Sequence, residues 1–413
     1  MKSFILSLFL IIFTIVLNAQ WATVTGDYQM CSNQLSVRDG QIALGDDSRP
    51  YFIGTDNRIH NLWWNGSSWQ DGYLNSSAPT AKSGSGLAFA KYLFPGGTDY
   101  GDYLYYTNSS GLLYWLKYSS GWIYASGGSY VLNNSVMATN SSNQIEFIYS
   151  NGAVCIYSND VDAKGQALYP MNSTSSYYVG PDSKVHYTYF TSGIGYRNYI
   201  VNANASLVMA NTEITYGDYW VFYVGTDGKV RNLSCSNSWI LNSSAPTVAQ
   251  NTGLLWAGDR LFYVDNNHRL RYLRWDGSTW ALSGIIGQQV KANTKLAYKN
   301  NRLFYVSSTG AIRYFYWTNK SGNINDENID FINRDIVDVK IFPNPANEYF
   351  SISTLDCQKG DIYIYDIQGK HVKSILEYDL SQVVAINDLK SGMYIIKIIT
   401  DNYTINKKLN IKR

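Results

Sequence analysis

Seven side chains have the types and register that recognition of a sugar would need: Trp69, Trp122, Trp239 and Trp280, with His60, Arg231 and Arg271 nearby. A sugar ring has an apolar C–H face and a rim of hydroxyls. An indole can cover the face, while imidazole or guanidinium groups hydrogen-bond the rim. Repeated aromatics also pack blade against blade, so each Trp taken alone reads as core. Catalysis would need other groupings. A glycosidase needs paired carboxylates, but only Glu146 and Glu213 precede residue 318, and most Asp sit in turn motifs such as Gly54-Thr55-Asp56 and Gly225-Thr226-Asp227, where Asx turns account for them. The four His, at 60, 186, 268 and 371, include no pair at metal-ligand spacing. His60 and His186 share a repeat position with Arg231, Arg271 and Arg313, which reads as a contact between repeats. No nucleophile elbow is present. These residues point to a noncatalytic binder that needs no cofactor or metal.

The elements that position them repeat. Apolar triplets begin at Tyr51, Tyr105, Glu146, Tyr177, Phe222, Phe262 and Phe304. Six residues after each start comes a turn residue: Asn57, Gly111, Gly152, Ser183, Gly228, His268 or Gly310. Gly and Asn suit a hairpin turn that needs positive φ. Two residues further on, every copy is aliphatic: Ile59, Leu113, Val154, Val185, Val230, Leu270 and Ile312. Several copies place an aromatic at the end of this second strand (Trp64, Tyr118, Phe190, Trp275, Trp317), and four follow it with one of the Trp residues named first. Each unit reads as four short antiparallel strands, at a period near the ~40–45 residues of a propeller blade. The pattern predicts an all-β chain with a seven-bladed β-propeller, or a six-bladed one if the short third copy is not a full blade. Ser83 to Asp102 reads as a Gly-rich surface loop. The seventh copy stops at Trp317, and Trp21 to Met30 is expected to supply its missing strand and close the ring, removing exposed edges.

The segments Gly54 to Gly66 and Arg271 to Trp280 resemble repeats of propeller lectins: the fucose-binding lectins, the PLL-like lectins and, more distantly, tectonins. The resemblance covers residues 40–317 and implies a lectin-like fold. In the fucose lectins an Arg and a Glu grip the sugar. The corresponding positions here carry Leu261, Leu303, Tyr272 and Tyr314, so fucose specificity does not carry over.

Composition changes after Trp317. Thr318 to Asp335 reads as a polar linker, and residues 336–413 as short strands of a small Ig-like β-sandwich. Pro343-Asn344-Pro345-Ala346, Asp366-Ile367-Gln368-Gly369-Lys370, Leu389 to Tyr394 and Lys407-Lys408 together resemble the type A C-terminal sorting domain of the Bacteroidetes type IX secretion system. That resemblance implies the secretion machinery as a partner, export across the outer membrane, removal of the module, and release or surface attachment.

The N-terminus agrees with export. Lys2, the apolar run Phe4 to Leu17 and Ala19 read as a secretory signal peptide over residues 1–19, too short an apolar run for a spanning helix. No later segment is long enough, so no membrane span is expected in the mature chain, which is predicted to be secreted or held at the outer-membrane surface. The net charge of +2 argues against nucleic acid as a partner. Cys31, Cys155, Cys235 and Cys357 show no motif spacing, and Cys155 and Cys235 read as buried small hydrophobes. The function expected is a noncatalytic, lectin-like propeller for extracellular or cell-surface glycan. The alternatives are a carbohydrate-active enzyme on the same scaffold and a protein-binding adhesin.

Overall fold

The computed structural model describes residues 24–93, 99–132, 137–140, 143–151, 153–154, 167–172, 175–191, 195–217, 220–235, 237–317, 340–353, 359–379, 383–399 and 404–413. The expected signal peptide and linker lie outside them, as do Gly152, Cys155 and Cys357.

Residues 24–317 form seven antiparallel sheets, six of them with strands in chain order and the seventh completed by the N-terminal strand. Blade 1 is Val37–Leu44, Pro50–Gly54, Ile59–Trp64 and Trp69–Tyr73, and blade 2 is Leu87–Tyr92, Tyr100–Thr107, Leu112–Tyr118 and Trp122–Tyr130. Blade 3 shows Ala138–Thr139 and Ile145–Glu146. Blade 4 is Leu168–Asn172, Ser175–Val179, Val185–Thr191 and Gly195–Ile200, and blade 5 is Thr215–Gly217, Trp220–Val224, Val230–Leu233 and Ser238–Ile240. Blade 6 is Leu254–Ala257, Arg260–Val264, Arg269–Trp275 and Trp280–Leu282, and blade 7 holds Ala297–Lys299, Arg302–Val306 and Ile312–Trp317. The fourth strand of blade 7 is Val24–Gln29, which pairs antiparallel with Ile312–Trp317. The ring therefore closes with the N-terminal strand, as the truncated seventh repeat requires. First strands touch between blades 1 and 2, 2 and 3, 3 and 4, 5 and 6, and 7 and 1.

The repeat residues do the work their positions suggest. All six described turn residues have positive φ, from 55° at His268 to 86° at Gly111. This geometry turns their carbonyls toward the next blade. Asn57, Gly111, Ser183, Gly228, His268 and Gly310 each accept a backbone hydrogen bond of 2.8–3.0 Å, from Ala81, Val131, Val208, Val248, Val290 and Val37 respectively. Each turn thus stitches its blade to the connector of the following one. Between the sheets, the triplet aromatic of one blade packs against apolar residues of the next: Tyr51 on Leu104 and Leu116, Phe222 on Leu261 and Leu273, Phe262 on Leu303 and Phe315.

Two expectations change. Ser83 to Asp102 is not simply a surface loop, since it contains Leu87–Tyr92 and the start of Tyr100–Thr107. The apolar piece at Leu87 to Phe89 extends through Ala90 into this strand, and Leu87, Ala88, Phe89 and Ala90 are all buried. Cys235 is no buried hydrophobe: it is half-buried and disulfide-bonded.

The C-terminal residues form two sheets. One pairs Lys340–Phe342, Tyr349–Ser353 and Val383–Ala385; the other runs in the order His371–Asp379, Lys359–Asp366, Gly392–Ile399, Thr404–Ile411. They enclose a core of Phe350, Ile362, Ile364, Val384, Ile396, Ile398 and Leu409. Asn344 clamps the edge strand by donating to the Lys408 carbonyl and accepting from the Asn410 N–H, both at 2.9 Å. Among the described residues no helix is long and apolar enough to cross a membrane.

Candidate functional site

In five repeats a cation sits on the third strand, directly opposite the middle residue of the triplet: Phe52 faces His60, Tyr178 faces His186, Tyr223 faces Arg231, Tyr263 faces Arg271 and Tyr305 faces Arg313. Each cation pairs with an acid. Within its own turn, Nε2 of His60 is 3.1 Å from Asp56, His186 is 2.9 Å from Asp182, Arg231 is 2.7 Å from Asp227 and Arg271 is 2.6 Å from Asp265. These pairs lie within a blade, which corrects the expectation of a contact between repeats: the hairpin turn brings the acid over the start of the next strand. The same acids close Asx turns, as Asp56 does on the Arg58 N–H and Asp227 on the Lys229 N–H. In blades 1, 4 and 5 a glycine follows the triplet where the cation lies against the backbone. A Cβ at Gly180 would stand 2.5 Å from Nε2 of His186, and one at Gly225 2.7 Å from Nε of Arg231.

His60 is buried and also meets Asp71 through Nδ1 at 2.9 Å. Burial works against its charge, but hydrogen bonds to Asp71 and Asp56 outweigh it and raise the pKa. Arg231 and Arg271 are half-buried.

The four Trp residues divide into two kinds. Trp280 is only 9% exposed and meets Phe222 of blade 5 edge-on at 5.7 Å. Trp122 meets Tyr51 of blade 1 in the same way at 5.8 Å. Trp69 packs on the cluster between blades 7 and 1. These three are wedges between blades. Asn75 and Asn242 donate to the carbonyls of Trp122 and Trp280, which gives these Asn-x-Ser motifs a structural role. Trp239 is different, being 40% exposed against Trp220.

The exposed platforms are the aromatics one hairpin position earlier. Trp64 is 54% exposed, Tyr118 55%, Phe190 45% and Trp275 45%. Trp64, Tyr118 and Trp275 stand opposite Trp69, Trp122 and Trp280 in the strand register, with ring centroids 5.5–6.0 Å apart and steep interplanar angles. The inner ring braces the outer one. The strand-end aromatics were visible in the sequence, but nothing in it separated outer from inner ring.

Polar groups surround these platforms. At the hairpin tips, Asn65 accepts from the N–H groups of Ser67 and Ser68, and Asp276 from those of Ser278 and Thr279. The two N–H donors hold the Asp276 carboxyl well below the usual carboxylate range. Since every blade runs in the same strand order, all these tips emerge on one face of the ring. On that face, the ends of first strands carry Lys91, which joins Asp46 at 2.6 Å and Asp102, and Lys299, 3.1 Å from Asp46. Arg260 and Arg274 both bind Asp259 beside Trp275. The arrangement offers apolar planes edged by hydroxyl, amide and ionic groups. Among the described residues, no three His, Cys, Asp or Glu cluster as metal ligands.

Residues 340–412 match the family described as "Secretion system C-terminal sorting domain". The protein is therefore secreted, or carried to the cell surface, by the type IX system. A stretch of 77 residues is 35% identical to an endo-acting ulvan lyase of Formosa agariphila; it covers 18% of this chain and 15% of that protein. Among solved structures, BamB from Moraxella catarrhalis aligns over 71% of this chain and 99% of its own, with TM-score 0.41 and 12% identity. A streptogramin B lyase aligns over 71% and 98%, with TM-score 0.46 and 10% identity. A fucose-specific lectin from Aleuria aurantia aligns over 69% and 95%, with TM-score 0.39 and 17% identity. The propeller architecture stands on the strand pairing itself.

Proposed function

We propose that this protein is a secreted or surface-held, noncatalytic propeller that binds glycan through the exposed aromatic tips of its outer hairpins. One observation carries this reading: Trp64, Tyr118, Phe190 and Trp275 are each about half exposed at equivalent positions on one face of the ring. Three of them are braced by a second ring, and polar tip loops or ion pairs lie within reach of several. A planar, pre-positioned aromatic presents contact area at little entropic cost, and its polar surroundings can meet sugar hydroxyls. Repetition around the ring suits extended or clustered glycans, because linked weak sites gain avidity of ~10²–10⁴. A noncatalytic role is supported by the state of the acids: Asp56, Asp182, Asp227 and Asp265 are committed to turns and ion pairs.

The test is a glycan array and titration with the exported chain and its Trp64→Ala/Trp275→Ala double variant. Binding to at least one polysaccharide, weakened tenfold or more in the variant at unchanged Tm, is expected. Equal binding by both chains, or no binding of any sugar at millimolar concentration, sinks the proposal. Turnover of a bound polysaccharide, seen as new chain ends, would replace it with the enzymatic reading.

A further inference from the structure

One seam of the ring breaks the rule that the others follow. In the triplet position that is Tyr or Phe in the six other blades (Tyr51, Tyr105, Tyr177, Phe222, Phe262, Phe304), blade 3 carries Glu146. Opposite it, blade 4 carries Ser176, where its counterparts are Pro50, Leu104, Ile145, Val221, Leu261 and Leu303. The third member is Thr188, where the described counterparts are Leu62, Leu116, Leu233, Leu273 and Phe315. Three positions that form apolar contacts elsewhere have thus become polar together, at the one place where they meet. Ser176 and Thr188 are direct cross-strand partners. Oγ of Ser176 donates to Glu146 at 2.5 Å, and Nδ2 of Asn140 donates to its other oxygen at 3.2 Å. Glu146, Ser176 and Thr188 are fully buried, and the Thr188 hydroxyl has no partner.

Its described apolar residues include Ile148, Val154, Leu168 and Tyr178.

We infer that the junction between blades 3 and 4 is a proton-dependent joint, closed while the Glu146 carboxyl is neutral and loosened when it ionises. The chemistry follows from the surroundings. An ionised carboxylate out of reach of water needs a counter-charge or several strong donors, and Glu146 has two neutral donors. Among the described residues, ionisable groups on the elements packed here are Lys91, engaged by Asp46 and Asp102, His186, engaged by Asp182, and the phenols of Tyr169, Tyr177, Tyr178 and Tyr187. None of them contributes a charge interaction to Glu146. Burial pushes its pKa up to about 8, against the pull of the Ser176 and Asn140 hydrogen bonds.

The sign is then set. The folded pKa lies above the unfolded value of ~4.3, so the folded form holds a proton that the unfolded chain releases. The contribution of Glu146 to stability is whole below the unfolded pKa, declines as pH rises through the interval, and is lost above about 8. One linked proton changes the unfolding constant about tenfold per pH unit.

The experiment is urea unfolding of the full chain from pH 5 to 9, with amide hydrogen exchange over residues 138–146 and 175–188. Wild type is compared with Glu146→Gln, which keeps the shape and cannot ionise, and with Ser176→Ala. The inference expects wild type to lose stability toward pH 8, a shallower slope in Glu146→Gln by one proton, and exchange in the two segments to rise with pH before that of other blades. Ser176→Ala, with one donor to the carboxylate removed, raises the folded pKa further and should carry the loss to higher pH. Equal slopes in wild type and Glu146→Gln would overturn the inference. So would a pH-dependent rise in exchange spread evenly over all blades.

Discussion

The two rings of each outer hairpin have opposite consequences when removed, although they touch. Trp275 is about half exposed, whereas Trp280 fills the space between Phe222 and Trp256. Trp275→Ala should leave urea stability within about 0.5 kcal/mol and weaken glycan binding. Trp280→Ala should cost about 3–5 kcal/mol, the usual loss for a buried aromatic. Paired urea melts and glycan titrations distinguish the two, and the reverse pattern would move the platform to the inner ring. The sequence could show where aromatics recur but not which of two consecutive ones is wet, because both ends of a tight hairpin carry the same residue types. The blade ahead decides it, by offering Phe222 or Tyr51 to the second ring only. His60, Arg231 and Arg271 were legible as a recurrent cationic position, while their partners were not. Those partners are turn acids that the sequence shows only as Asx-turn residues.

At the scale of elements, the turn between second and third strands is the most informative unit, because its backbone conformation does the stitching. Ser183 adopts φ 58° and Gly228 adopts 74° at equivalent positions. A left-handed conformation costs an ordinary residue roughly 1–2 kcal/mol. Ser183→Gly is therefore expected to stabilise the chain by about 1 kcal/mol. Gly228→Ala should destabilise it by at least as much, since the new Cβ would also stand 2.9 Å from Thr247. Chemical denaturation of both variants checks the pair, and opposite signs are required. These turns were readable from spacing alone, as were the aliphatic positions that follow them. The first strand of blade 2 was readable only in part: the apolar piece Gly86 to Phe89 precedes its triplet, but it lies within a glycine-rich stretch that resembles a loop.

Across the whole molecule, blade 7 reveals how the ring is completed. Its own turn, Ser307 to Gly310, holds no acid, and Arg313 takes Asp27 from the N-terminal strand instead, at 2.7 Å, with Tyr305 donating to the same carboxylate at 2.7 Å. Asp27→Ala should cost about 1–3 kcal/mol, as expected for hydrogen bonds to a charged group, and should loosen exchange in Val24–Gln29 and Ile312–Trp317 before that of other blades. A loss confined to the N-terminal strand would place the latch elsewhere. The missing fourth strand was legible from the early stop at Trp317; the borrowed acid was not, since 286 positions separate it from its partner. That separation also sets an order of events. Blades made of local hairpins can form one by one as chain emerges, but the last one stays incomplete until residues near both ends of the ring are present together. The longest loop is closed last, and contacts so distant in sequence form slowly. A chain threaded outward from its N-terminus would thus carry an unsatisfied first strand throughout transit, and would lock into its final shape only on the far side.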